Sequence, residues 1–237
     1  MTTLRNALDE RKDNFYAHFT LAKALEEHLV AGAPLSIGET PLSAHHLLTM
    51  KSALIVHLYN IVEAIMSQAM DEIGEAVKLS SPSDWSNDTL REWLRFYASK
   101  GIDGGEDKRL KVVHVAALKL LAKETMEDLE LKKPSGSWND KLIHVFSKRL
   151  NVHFPLTEEI ARRISASGKY GDKTPLEFLA DRRNAIAHGR RTFESGANDL
   201  TMADIEELAD ATIYYMEHAM NAFQSYIDDR KYLADAV

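Results

Sequence analysis

An apolar stripe runs through the residues between Ser43 and Lys78, and it constrains this chain more than any other feature. Leu47, Leu54, Leu58, Ile61, Ile65, Ala69 and Ile73 fall on one face of an α-helix, and Ile55, Val62, Met66 and Met70 widen that face. At about 1.5 Å per residue the helix is about 50 Å long. Its apolar arc is broader than one core face needs, so burial on two sides is expected, by an internal neighbour or by another subunit. No convincing run of alternating apolar residues argues for a sheet.

The other segments also read as helical. The first helix is expected over Thr2 to Val30, with Phe15, Phe19, Ala22 and Leu25 at helical spacing, and AGAPLSIGETPLS breaks it with prolines and glycines. Ser43 is placed to cap the long second helix. Asp88 is expected to cap a helix to Ser99, and further helices are expected over Lys108–Glu130, Asn139–Leu150 and Thr157–Ser165. The clearest local signals come last. Thr174-Pro-Leu-Glu177 is a capping box with proline at the first helical position, and Gly189 supplies the stop. Thr201 with Asp204 repeats the start signal for a helix to Asp229, with Leu200 able to staple onto Ile205. The expected architecture is one all-α domain over 1–237, with a helical N-terminal extension at 1–42 and a core at 43–237.

Composition sets the outer limits. The chain has 237 residues, 45% apolar and 27% charged, the balance of an ordinary globular protein. It contains no cysteine, which excludes disulfides, thiolate metal sites and cysteine nucleophiles. The first fifteen residues mix charges and lack an apolar secretory segment, and His57 and Glu63 interrupt the most apolar stretch, Ser52–Met70. A cytoplasmic protein with no membrane association is therefore expected. Net charge is −7, yet Ala161–Arg191 holds eight bases against three acids, whereas Thr192–Val237 holds ten acids against two bases. Such a local basic patch can attract phosphates while the whole molecule stays acidic.

Inside that patch lies Leu179–Arg191, LADRRNAIAHGRR. Arg183 and His188, five residues apart, sit roughly 140° apart on a helix, whereas Asn184 and His188 share a face. One copy does not focus Arg183 and His188 on a point; two copies facing each other across a subunit interface could build a compact cluster. That cluster suits phosphodiester cleavage in RNA, where the 2′-hydroxyl is the nucleophile and the protein manages protons and charge. Histidine titrates near neutrality and can act as general acid or base. Arginine holds phosphate oxygens bidentately as negative charge builds. Asn184 can orient either partner, and Arg182, Arg190 and Arg191 would attract the strand. An R-x4-H spacing alone is weak evidence, and Arg183 could equally pair with Glu177 or Asp181 while His188 merely caps its helix.

The RNAIAHG string at Arg183–Gly189, entered from a capped helix and followed by a long acidic helix, resembles the HEPN superfamily of prokaryotic helical nucleases, in particular its branch linked to restriction and defence loci. Glu63 in the second helix, the Gly136–Asn151 segment and the ending Tyr226-Ile-Asp-Asp-Arg-Lys-Tyr232 match as well. The likeness covers roughly Ser43 to Tyr232 and is thin over Asp84–Leu131, an inserted helical segment. It implies a HEPN-like bundle and a homodimeric, metal-independent endoribonuclease with no cofactor. Arg183 and His188 would be the catalytic pair, with Asn184 between them. It also implies a role in toxin–antitoxin or anti-phage defence, with RNA as substrate and a cognate antitoxin as a candidate protein partner. Some superfamily members are non-catalytic binders, so a module binding a nucleotide, RNA or antitoxin is the alternative.

Glu63, a carboxylate inside an apolar stripe, needs a partner. It either holds Arg183 in a supporting role or pairs with another base. His45 and His46 are adjacent and diverge by about 100°, and His57, His114, His144, His153 and His218 show no metal-ligand spacing, so each reads as structural. Ser167-Gly-Lys-Tyr-Gly171 lacks a full phosphate-loop pattern and reads as a basic link placing Lys169 near the site.

Overall fold

In the computed structural model, residues 4–32, 35–100, 105–123 and 130–234 are described, residues 97–100 by their backbone alone. Among them are eight α-helices: α1 Leu4–Val30, α2 Ala44–Lys78, α3 Asn87–Lys100, α4 Glu106–Leu121, α5 Asp140–Arg149, α6 Glu158–Arg163, α7 Pro175–Ala187 and α8 Met202–Asp228. The expected start at Thr2 and residues 124–129 of the expected Lys108–Glu130 helix lie outside the described residues. The fold is all-α. Its one sheet among the described residues is an antiparallel hairpin of two residues a side, β1 Ser36–Ile37 and β2 Thr40–Pro41, in the proline- and glycine-rich break.

Every member of the α2 stripe from Leu47 to Ile73 is buried, as are Ile55, Val62 and Met66 on its widened flank. By length and composition α2 is apolar enough to cross a bilayer, but its stripe is covered by protein. The chain packs into two compact units, Met1–Ile65 with Ser137–Asp140 and Leu156–His218, and Met66–Gly136 with Lys141–Pro155 and Ala219–Val237. Neither coincides with the expected extension at 1–42 and core at 43–237: α1 shares the first unit with α7.

In the first unit, α1 buries Phe15, Phe19, Ala22 and Leu25. Phe15 stacks on Phe19 at 6.1 Å between ring centres and meets the His57 ring edge-on. Polar contacts fasten α1 to α8: Lys12 pairs with Glu217, Tyr16 donates to Asp210 at 3.0 Å, and Lys23 lies 3.3 Å from Glu206. The buried Lys51 ammonium is satisfied by Glu26 at 2.6 Å and the Leu200 carbonyl at 3.2 Å.

In the second unit, Ser86 caps α3 rather than Asp88. The Thr89 N–H donates to the Ser86 hydroxyl at 3.2 Å, and Asp88 falls inside the first turn. Both residue types favour the cap. The geometry that selects Ser86 is tertiary, because its N–H donates to the Tyr232 carbonyl at 2.9 Å and the Thr89 hydroxyl donates to the same oxygen. The C-terminal tyrosine ending thus anchors the start of α3.

Candidate active site

Local sequence sets where α7 begins and ends. Thr174 accepts the Glu177 N–H at 3.1 Å while Glu177 accepts the Thr174 N–H at 3.2 Å, completing the capping box. The Thr174 hydroxyl also donates to Asp140 at 2.6 Å, and the Asp140 carbonyl accepts the Tyr215 hydroxyl at 3.1 Å, which ties the start of the helix to α8. At the other end His188 is the C-cap, and Gly189 turns the chain with φ 70°. Such a left-handed residue favours glycine. Between these ends α7 buries residues on most of its circumference, including Leu176, Leu179, Ala185 and Ile186.

Arg183 emerges into a polar cluster. Its guanidinium pairs with Glu63 of α2, donates to Asn184 Oδ1 at 3.1 Å, and lies 4.1 Å above the centre of the Tyr59 ring. Asn184 in turn donates through Nδ2 to the Ser137 hydroxyl at 2.8 Å. Of the two readings of Glu63, the structure adopts the pairing with Arg183; Glu177 and Asp181 are engaged instead in the capping box and with Lys173. Tyr59 is fully buried. Burial pushes its phenol above its ordinary pKa, against the lowering effects of the neighbouring Ser137 hydroxyl and the Arg183 charge. Ring, carboxylate and amide fix the guanidinium plane from three directions, yet the Arg183 side chain remains 21% exposed and open to an anion. Tyr59 and Ser137 are cluster members that the sequence reading does not single out. Tyr59 stands one turn before Glu63, so its place on the same α2 face is legible, whereas nothing local marks Ser137.

His188 does not join this cluster. It is exposed, and among the described residues its ring has no hydrogen-bond or ion-pair partner. Its link to Asn184 is through the backbone, its N–H donating to the Asn184 carbonyl at 3.0 Å. The structure therefore brings together Arg183, Asn184 and Glu63 and leaves His188 facing solvent at the helix end.

The flanking bases differ from the expected phosphate-attracting patch. Arg182 is buried and is corrected to a structural residue. Its guanidinium grips Asp199 bidentately at 2.6 and 2.8 Å, donates to the Gly196 carbonyl at 2.9 Å, and lies 4.7 Å above the Phe178 ring. The Arg182 hydrogen bonds hold the Asp199 carboxyl below its ordinary pKa. Lys169 is likewise committed, to Asp204 at 2.7 Å and Glu207 at 2.6 Å, so its charge is already met. Arg191 donates to the Ser195 carbonyl at 2.8 Å. Arg190 stays 60% exposed, with Asp181 at the edge of ion-pair range, 3.9 Å. Of the four flanking bases it is the freest. No group of three or more His, Asp or Glu side chains placed to hold a metal ion occurs among the described residues.

The family model HEPN_MAE_28990-like HEPN matches residues 1–232. The matched span takes in α1 as well as the long second helix, the Arg183–His188 string and the Tyr226–Tyr232 ending. No curated protein and no solved structure matches the chain. With nearly its whole length covered, the chain belongs to the HEPN_MAE_28990-like HEPN family.

Proposed function

We propose that the protein is a metal-independent endoribonuclease whose active site is composed at a homodimer interface, acting as a toxin or defence effector. The observation that carries this reading is the fixed, partly exposed guanidinium of Arg183, on the same short helix that ends in the exposed His188. In the proposed reaction the ribose 2′-oxygen forms a bond to the adjacent phosphorus and the bond to the 5′-oxygen breaks. One imidazole takes the 2′-hydroxyl proton, a second imidazole delivers a proton to the departing 5′-oxygen, and the products are a 2′,3′-cyclic phosphate and a 5′-hydroxyl. Arg183 neutralises the charge that builds on the non-bridging oxygens, with Asn184 and Glu63 holding it in place. Two-fold symmetry supplies the second imidazole, since one chain contributes a single His188. Arg190 adds electrostatic attraction for the strand. Expression of the protein alone tests the reading: growth arrest is expected, relieved by Arg183→Ala.

A second reading, a non-catalytic module that binds RNA, a nucleotide or an antitoxin, is favoured by one observation. Within a single chain the Arg183 charge is already met by Glu63. This reading predicts the same dimer, no RNA turnover and no growth arrest.

A further inference from the structure

The first unit holds a cavity of about 620 Å³ that the reaction proposed above does not use. Three elements wall it: Leu21 and Ala24 from α1, Ile37 and Leu42 from the hairpin and its exit, and His45 and His46 from the first turn of α2. Its size falls within the roughly 300–1,000 Å³ of small-molecule sites. The walls are mainly apolar. Leu21 stays 61% and Ile37 72% exposed, apolar surface that an apolar occupant would cover.

The polar end of the cavity has a defined chemistry. His46 Nδ1 accepts the Ser43 N–H at 3.1 Å, so the neutral ring carries its proton on Nε2 and offers a donor. His45 lies 3.4 Å from the Glu194 carboxylate, which occupies it. His46 also lies in the opening turn of α2, where the helix dipole favours negative charge. The lining also includes His28 and Thr49, so an apolar body ends at a small group of polar side chains beside a helix start, which matches a particular ligand shape.

We infer that this cavity binds an amphiphilic carboxylate, its alkyl chain between α1 and the hairpin and its head on His46. The inference does not depend on any catalytic role of Arg183. Isothermal titration of the full chain with octanoate, butyrate and 1-octanol tests it. Octanoate is expected to bind, with butyrate and octanol each weaker by about tenfold or more, the first for want of chain and the second for want of charge. Ala24→Trp fills the cavity from an exposed helix position and is expected to weaken octanoate by about tenfold or more, with the circular dichroism unchanged. His46→Asn keeps an acceptor for the Ser43 N–H but removes the Nε2 donor, so it should erase the preference for octanoate over octanol. Should Ala24→Trp disturb folding, the exposed His46→Asn carries the test alone. Absence of octanoate binding, equal affinity for octanol, or undiminished binding by a folded Ala24→Trp protein overturns the inference.

Discussion

Arg183 on α7 and Glu63 on α2, 120 residues apart in the chain, are joined by an ion pair that sets the direction of the candidate catalytic guanidinium. Both side chains are partly exposed, so the pair contributes about 1 kcal/mol or less to stability, and its value lies in positioning. Glu63→Gln is expected to leave the denaturation midpoint nearly unchanged while lowering RNA cleavage by about tenfold. Denaturation and cleavage measured on the same preparation check this; unchanged cleavage would remove Glu63 from the site.

Arg182 and Arg190, on either side of the motif, should separate cleanly. Arg182→Ala removes a buried guanidinium together with its packing on Phe178 and leaves the buried Gly196 carbonyl without its donor, whereas the half-exposed Asp199 carboxylate keeps Arg191 at 3.8 Å. A loss of about 1–3 kcal/mol is expected in urea unfolding. Arg190→Ala removes an exposed charge and should change stability by less than about 0.5 kcal/mol. RNA affinity should respond the other way, falling for Arg190→Ala and holding for Arg182→Ala at temperatures where that variant is folded.

Helix ends are readable from sequence wherever the cap is a local affair: Thr174 with Glu177, the left-handed Gly189, and Thr201 with Asp204, whose carboxylate accepts the Thr201 N–H at 2.8 Å. The start of α3 is not readable in this way, because two suitable cap residues stand close together and the choice is made by Tyr232, far along the chain. The hairpin leaves no signal because two residues a side show no period. Charge counting finds a basic patch in the sequence but cannot tell which of two successive arginines turns inward. Those side chains diverge by about 100°, enough to bury Arg182 and leave Arg183 partly exposed.

Acid should weaken the fold through named carboxylates. Hydrogen bonds from Lys169 and Thr201 hold Asp204 at a pKa of about 2, and Lys173 lowers Asp181 in the same direction. A carboxyl whose folded-state pKa lies below its unfolded value releases its proton more readily when folded. Its stabilisation is therefore complete above about pH 4 and is lost as pH falls toward 2. Unfolding free energy measured at about pH 7, 4 and 3 should drop over the last interval, and Asp204→Asn should show a shallower drop from a lower starting value.

Gly196 sits where the chain after α7 passes tightly over its neighbours. A Cβ there would stand 2.5 Å from Ser52 Oγ and 2.8 Å from Ile186 Cδ1. Gly196→Ala is expected to cost about 1–3 kcal/mol by overpacking, read as a lowered denaturant midpoint. An unchanged midpoint would mean that this loop yields freely.

A composite site requires two chains. Sedimentation equilibrium of the wild-type protein is expected to return a dimer, and a monomer at the concentration of the cleavage assay would remove the second imidazole from the proposed reaction.

The most direct test is cleavage of single-stranded RNA in EDTA by the wild-type protein, Arg183→Ala and His188→Ala. Fragments ending in 2′,3′-cyclic phosphate are expected from the wild type, with a loss of about a hundredfold or more in each variant. Normal cutting by either variant, or no cutting by the wild-type dimer, would contradict the proposed reaction.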